Sequence, residues 1–209
     1  MAGPNLTLHV PIIQVQNKAN TTPFTKAMVE AAAQAFANGT PVQKNASGYA
    51  QAWDGATVAS GILGISESFG LNLATPGAGA LTYPWGQLTG SIATQTYGQV
   101  PGQPLAVNVA LGTPVSDGRT LYMEGNPDNI FEAMFDNSTG AVAADYTPTV
   151  ADIGVSYGLT KDATGPYWYV DKGKTGGAAV VKITGIDTVD GYTLNAKVLF
   201  SFLPAAVQM

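Results

Sequence analysis

The side chains that could do chemistry are concentrated in one acidic stretch, YMEGNPDNIFEAMFDN, residues 122–137. Four acids recur in it at four-residue intervals: Glu124, Asp128, Glu132 and Asp136. A pair of facing carboxylates is what glycoside hydrolysis requires, one as acid and the other as base or nucleophile. A simpler interpretation makes NPDN a turn and places the other acids on a solvated face around buried Ile130, Phe131 and Phe135. We favour the second interpretation, in which the stretch has no catalytic role.

Other catalytic and ligand-binding motifs are incomplete. His9 is the single histidine, so a catalytic triad would have to use it. Because cysteine is also absent, a zinc site lacks ligands. Gly173–Thr175 matches the end of a phosphate-binding loop, but Trp168 stands where that loop needs its first glycine. Asp187–Gly191 resembles part of a calcium loop that lacks its closing glutamate. We therefore expect no catalytic residue, no metal and no cofactor.

Aromatic side chains could line a carbohydrate-binding surface instead. The candidates are Trp53, Trp85, Tyr167, Trp168 and Tyr169. Successive side chains of a strand point to opposite faces, so Trp168 is expected opposite Tyr167 and Tyr169. At least one of these two sets is then predicted to be core.

The composition is poor in charge. Charged residues make up 11% of the chain, against roughly one quarter in average domains, so much of the surface is expected to face other proteins. The net charge is −5 and Arg119 is the single arginine, which argues against phosphate-driven binding of nucleic acid. No window reaches the ~18 apolar residues of a membrane span. The first residues lack the features of a signal peptide, so we expect a soluble intracellular product.

The spacing of turn residues predicts a mainly β fold of small β-barrel or β-tulip-like segments, with long loops and at most one or two short helices. Lys26–Ala37 is rich in alanine and predicts a short helix ending at Asn38-Gly39, with a strand or coil as the alternative. Asn45–Gly48 and Asp54-Gly55 favour tight hairpins between short apolar pieces. In the last predicted strand, Ala196–Phe202, we expect Val198, Phe200 and Phe202 to face one way and Leu199 and Ser201 the other.

The chain is expected to consist of an arm and two β segments. Residues 1–24 form the extended N-terminal arm, and Pro11 confines any strand in it to the edge of a sheet. Residues 25–104 hold the first β segment with the short helix and an irregular loop, and residues 105–209 hold the second. One continuous domain over residues 25–209 is the alternative.

One stretch resembles a known family. Residues 48–66, GYAQAWDGATVASGILGIS, combine a strand ending in Ala-Trp-Asp-Gly, a short turn and a Gly-Ile-Leu-Gly strand. They are similar to the head decoration proteins of lambda-type tailed phages, and VPGQPLAVNVALGTPVSDGRTLY and VLFSFLPAAVQ are similar to proteins encoded with phage head genes. This chain is longer than the lambda type and has a second β segment.

The resemblance implies a capsid decoration, or cement, protein that is not an enzyme. Such a protein binds the outer surface of the virion, usually as a homotrimer, and clamps neighbouring subunits of the major capsid protein. It is synthesised in the cytoplasm of the host bacterium, and neither nucleic acid nor membrane is a partner.

The expected contact residues lie in the arm and at two tryptophans: Leu8, Val10, Ile12, Ile13, Trp53 and Trp85. An extended arm over Ala2–Gln16 could add a strand to a neighbouring capsid sheet. Its deletion is expected to weaken capsid binding and to leave the barrel folded.

Two other functions remain open. A head-fibre or tail β-structural module fits the same composition, but it would be present in few copies per virion. A carbohydrate-binding or hydrolytic protein would use Trp85 and the acids between Glu124 and Asp136.

Overall fold

The structure, a computed structural model, describes residues 10–18, 25–29, 31, 34, 36–56, 61–67, 81–83, 86–88, 119–163 and 165–208. The fold is mainly β, which confirms the fold class expected from the turn spacing. Helical structure in the described part consists of three 3₁₀ turns: Ala143–Tyr146, Val150–Asp152 and Gly176–Ala178. The strands are β1 (Ile13–Asn17), β2 (Thr25–Val29), β3 (Pro41–Lys44), β4 (Ala50–Ala52), β5 (Ile62–Ser66), β6 (Leu81–Tyr83), β7 (Gly86–Leu88), β8 (Arg119–Glu124), β9 (Asn129–Asp136), β10 (Ser156–Lys161), β11 (Trp168–Asp171), β12 (Val181–Ile186) and β13 (Lys197–Phe202).

Five strands close a mixed β-barrel. β9 and β11 pair in parallel, β11–β10, β10–β12 and β12–β13 pair antiparallel, and β13 returns to pair with β9. The alternation expected of the last strand is confirmed, since Val198, Phe200 and Phe202 are at most 1% exposed. β1 extends this sheet by pairing antiparallel with β9, next to Asn129–Glu132.

A second, antiparallel sheet has the strand order β2-β8-β5-β3-β4. The predicted hairpin at Asn45 is confirmed: its side-chain oxygen accepts hydrogen bonds from the backbone N–H groups of Ser47 and Tyr49 at 3.0 and 2.9 Å. This sheet takes strands from both sides of the expected boundary at residues 104/105, since β8 lies between β2 and β5. β6 and β7 form a separate two-stranded hairpin.

The helix predicted over Lys26–Ala37 is wrong, and the strand alternative holds for its first residues. Thr25–Val29 pairs with β8 along its whole length. Farther on, the Ala31 N–H donates to the Ala50 carbonyl, and the Gln34 side chain accepts from the Ala52 N–H. These cross-strand partners outweigh the intrinsic helix propensity of alanine, which tertiary contacts readily override.

One hydrophobic core joins the barrel and the second sheet. Ile62 and Ile65 of β5 pack in the same cluster as Phe131 and Phe200 of the barrel. At the junction, the rings of Trp53 and Trp168 stack with centroids 5.3 Å apart. The C-terminal residues reinforce the junction, because β5 forms a parallel bridge between Ile62 and Val207.

The start of β1 is anchored in this core. Ile12 is 2% exposed and packs in the shared cluster. A Cβ atom at Gly39 would lie only 2.6 Å from the Ile12 backbone nitrogen. Position 39 therefore requires glycine, because its backbone passes so close to the residue before β1. Deletion of Ala2–Gln16 therefore removes a core side chain and most of β1, and it is not neutral for folding.

Candidate interaction surfaces

Two of the four acids in residues 122–137 form ion pairs within the fold. Glu124 forms an ion pair with Lys26 at 2.5 Å, and Glu132 forms one with Lys197 at 2.9 Å. The hydrogen bond to Glu132 also raises the pKa of Lys197. Asp128 is exposed in the turn before β9, as the turn interpretation predicted. The two ion pairs join neighbouring strands and give Glu124 and Glu132 structural roles.

Asp136 and Asp171 lie side by side at the ends of the parallel strands β9 and β11. Asp171 is fully buried and accepts hydrogen bonds from the Ser138 and Gly173 N–H groups and from the Thr160 hydroxyl, at 3.0, 2.9 and 2.6 Å. Burial raises the pKa of Asp136, and the charge of Asp171 adds to this effect. This pair anchors the connections that leave the barrel.

Asp152 fixes the connection between β9 and β10. It accepts hydrogen bonds from the Tyr157 hydroxyl at 2.6 Å and from the Thr149 N–H and hydroxyl at 2.7 and 2.8 Å, and it lies 3.3 Å from the Lys172 ammonium. Burial alone would raise the pKa of Asp152, but these donors and the Lys172 charge lower it. The sequence analysis named neither Asp152 nor Asp171, because the hydrogen-bond partners of these acids come together only in the folded barrel.

A first group of exposed apolar side chains, which we call the tip patch, lies on the connection from β9 to β10 and on the connection from β12 to β13. Its members and their exposed fractions are Val142 (59%), Val189 (88%), Tyr192 (57%) and Leu194 (50%). The β12–β13 connection contacts the β9–β10 connection through a hydrogen bond from the Asn195 N–H to the Tyr146 carbonyl, 3.0 Å long. Half or more of each side chain is thus open to a partner, and the sequence analysis missed this surface.

A second exposed apolar surface is β1 itself, which we call the β1 surface. Ile13 and Val15 are 47% and 42% exposed. Within the described residues β1 pairs with β9 alone, so it is the outermost strand of its sheet. Such an edge leaves backbone N–H and C=O groups for another chain to pair with.

The six contact residues expected from the sequence have different locations. Ile13 is exposed on β1 and Val10 is half-buried. Ile12 and Trp53 are 2% and 4% exposed and belong to the chain's own core, because one anchors β1 and the other stacks on Trp168. We therefore treat both as core residues and not as contact residues. Leu8 and Trp85 lie outside the described residues.

The aromatic residues considered for carbohydrate binding are mostly internal. Trp53, Trp168 and Tyr169 are at most 9% exposed. In the part of the chain that the structure describes, no three residues that commonly bind metals come together. No helix there is long and apolar enough to cross a membrane.

No protein-family model, no curated protein and no solved structure matches the chain.

Proposed function

We propose that this chain is a structural protein of a tailed-phage virion, which binds the outer capsid surface and cements neighbouring subunits of the major capsid protein. The observation that carries the proposal is the β1 surface, where exposed Ile13 and Val15 lie on an outermost strand. Apolar side chains beside open backbone groups suit the addition of a partner strand, with backbone hydrogen bonds supplying affinity and side chains supplying specificity.

A cement protein must touch two neighbours, and the described part of the chain offers at least two groups of exposed apolar side chains. β1 lies beside Asn129–Glu132 at the start of β9. The tip patch lies on the connections that follow β9 and precede β13, near the other end of that strand. We assign the β1 surface to one capsid subunit and the tip patch either to a second subunit or to another copy in a homotrimer.

The low charge of the chain supports the same assignment. Only 11% of its residues are charged, and interface centres are depleted of charge. Several acids that could have had a catalytic role form ion pairs within the fold instead, including Glu124, Glu132 and Asp152.

The test uses Val15→Asp in the full-length chain. Purified protein is sedimented with capsids of the encoding phage that were assembled without it. We expect at least a tenfold loss of affinity, about 1.4 kcal/mol, because a carboxylate would be buried without a partner. Ser47→Asp is the control, because it adds the same charge at an exposed hairpin of the second sheet.

Two results would contradict the proposal. If the wild-type chain does not sediment with the capsids, decoration is excluded. If Val15→Asp binds as tightly as Ser47→Asp while both remain folded, the β1 surface is not the contact.

A further inference from the structure

The connection between β12 and β13, which we call the 187–196 loop, carries three large apolar side chains that are open to solvent. Val189 is 88% exposed, more than any other large hydrophobic residue in the described part of the chain. Tyr192 and Leu194 follow within five positions and are 57% and 50% exposed. A single exposed apolar residue is ordinary, whereas several on one short loop are typical of a contact with another protein.

The loop is closed by its own hydrogen bonds. At its base the Asp187 N–H donates to the Lys197 carbonyl at 3.0 Å. Within the loop, the Gly191 N–H donates to the Asp187 carbonyl at 2.9 Å, and the Asp187 carboxylate accepts from the Val189 N–H at 3.0 Å. A loop held in this way loses little conformational freedom when a partner binds, so more of the free energy of apolar burial is available for affinity.

The same loop is acidic at its base. Three carboxylates, those of Glu132, Asp187 and Asp190, lie 2.9, 3.6 and 4.0 Å from the Lys197 ammonium. One ammonium cannot balance three carboxylates, and the loop itself contains no lysine or arginine. Opposite charges across an interface favour a partner, whereas like charges exclude it. The charge of the loop therefore favours a partner that brings positive charge to it.

Tyr192 indicates which cation suits the loop best. Its ring is more than half exposed. Aromatic rings attract cations, arginine more often than lysine, because the planar guanidinium can also stack on the ring. Arginine is also enriched at protein interfaces, where lysine is depleted. We therefore expect arginine in the segment that the loop contacts.

We propose that the 187–196 loop binds a segment of another protein in which arginine flanks apolar side chains. The apolar side chains cover Val189 and Leu194, and the guanidinium groups meet the Tyr192 ring and the acidic base of the loop. A second copy of the chain suits the loop less, because a two-fold contact would bring two loops of like charge together. The inference deepens the proposed function and rests on it only for the identity of the partner, not for its chemistry.

The probe is the peptide acetyl-Arg-Leu-Leu-Arg-amide, and its matched control is acetyl-Glu-Leu-Leu-Glu-amide. Each peptide is titrated at low salt into the ¹⁵N-labelled full-length chain while NMR follows the backbone amides of Val189, Tyr192 and Leu194. We expect the arginine peptide to shift these signals with saturation at about millimolar concentration, the range for so small a ligand. The glutamate peptide should bind roughly tenfold more weakly, and about 0.5 M NaCl should weaken binding of the arginine peptide.

Two pairs of variants separate the loop from the rest of the surface. Tyr192→Ser should weaken binding of the arginine peptide by about fivefold, whereas Tyr49→Ser, at a tyrosine 38% exposed on the β3–β4 hairpin, should leave it unchanged. Thr188→Lys adds a positive charge at an exposed loop position and should weaken binding by about threefold, whereas the neutral Thr188→Gln should not. All three positions are exposed, so these variants are expected to fold.

Saturable binding with this pattern supports the proposal. It is overturned if the loop amides do not shift up to the solubility limit of the arginine peptide, if the two peptides bind equally well, or if either test variant binds like its control. It is also overturned if the loop signals shift when the chain alone is concentrated, because the occupant would then be a second copy. Failure here is distinguishable from failure of capsid decoration, because peptide binding is measured on the isolated chain and decoration by sedimentation with capsids.

Discussion

Gly64 is the position at which the second sheet tolerates no side chain. It lies in β5, opposite Glu124 of β8, with a φ angle of +156°. A Cβ atom there would lie 1.8 Å from the Met123 carbonyl oxygen and 2.8 Å from the Gly125 nitrogen. Both neighbours are backbone atoms, which cannot turn aside as a flexible side chain would. Gly64→Ala is therefore expected to force β5 and β8 apart.

The size of this effect follows from the geometry. Restoring a tolerable contact to the Met123 oxygen requires a shift of about 1.2 Å, which is enough to stretch a 2.9 Å hydrogen bond beyond its useful length. Overpacking costs about 1–3 kcal/mol, and each lost backbone hydrogen bond costs roughly 1 kcal/mol more. Ile62 and Ile65 on the same strand would also lose contact with the barrel core. We expect a loss of about 3–5 kcal/mol in the free energy of unfolding.

The measurement is urea-induced unfolding, followed by tryptophan fluorescence and circular dichroism. Gly61→Ala is the control, since its new Cβ would lie 3.8 Å from the nearest atom, Gln43 Cβ, and should change stability by less than about 0.5 kcal/mol. If Gly64→Ala unfolds at the same urea concentration as Gly61→Ala, the pairing of β5 with β8 is refuted. If the variant is recovered only as insoluble protein while Gly61→Ala is soluble, the prediction is upheld.

Two further predictions concern the sheet–barrel junction and the buried acid of the β9–β10 connection. Trp53→Ala should lower the free energy of unfolding by about 3–5 kcal/mol and Trp53→Phe by clearly less, because alanine leaves a much larger cavity against Trp168 than phenylalanine does. Equal urea midpoints for the two variants would contradict this. Asp152→Asn should lower stability at pH 7 by about 2–3 kcal/mol through lost charge-assisted contacts. The pKa of Asp152 is lower in the folded chain than its ordinary value of 3.8. The ionised carboxylate therefore contributes its full stability to the fold above pH 3.8, and this contribution is lost as the pH falls toward the pKa of the folded state. The difference in the free energy of unfolding between wild type and Asp152→Asn should therefore become smaller below pH 3.8. If that difference stays constant down to about pH 2, the stabilising role of the ionised Asp152 carboxylate is refuted.

Local turn chemistry could be predicted from the sequence alone. Asn45 hydrogen-bonds its own hairpin, and Asp54 does the same with the Ala56 N–H at 2.9 Å. Alternation likewise predicted the inward face of β13 correctly, because strand period depends only on neighbouring residues. These features need no knowledge of distant parts of the chain.

Features that depend on distant partners could not be predicted. Thr25–Val29 form a strand because β8, about a hundred residues later, supplies the hydrogen bonds. Trp53 was expected at an interface because a large aromatic next to a turn gives no sign of its partner, Trp168.

The proposed capsid role is tested most directly by a cryo-EM reconstruction of mature tailed-phage particles assembled in the presence of this chain. If the proposal holds, density for the chain lies on the outer shell in many copies, on the order of hundreds, and repeats with the symmetry of the major capsid protein. β1 then faces a capsid subunit. Particles that lack the chain, or that carry only a few copies at the tail or on a fibre, would contradict the proposal.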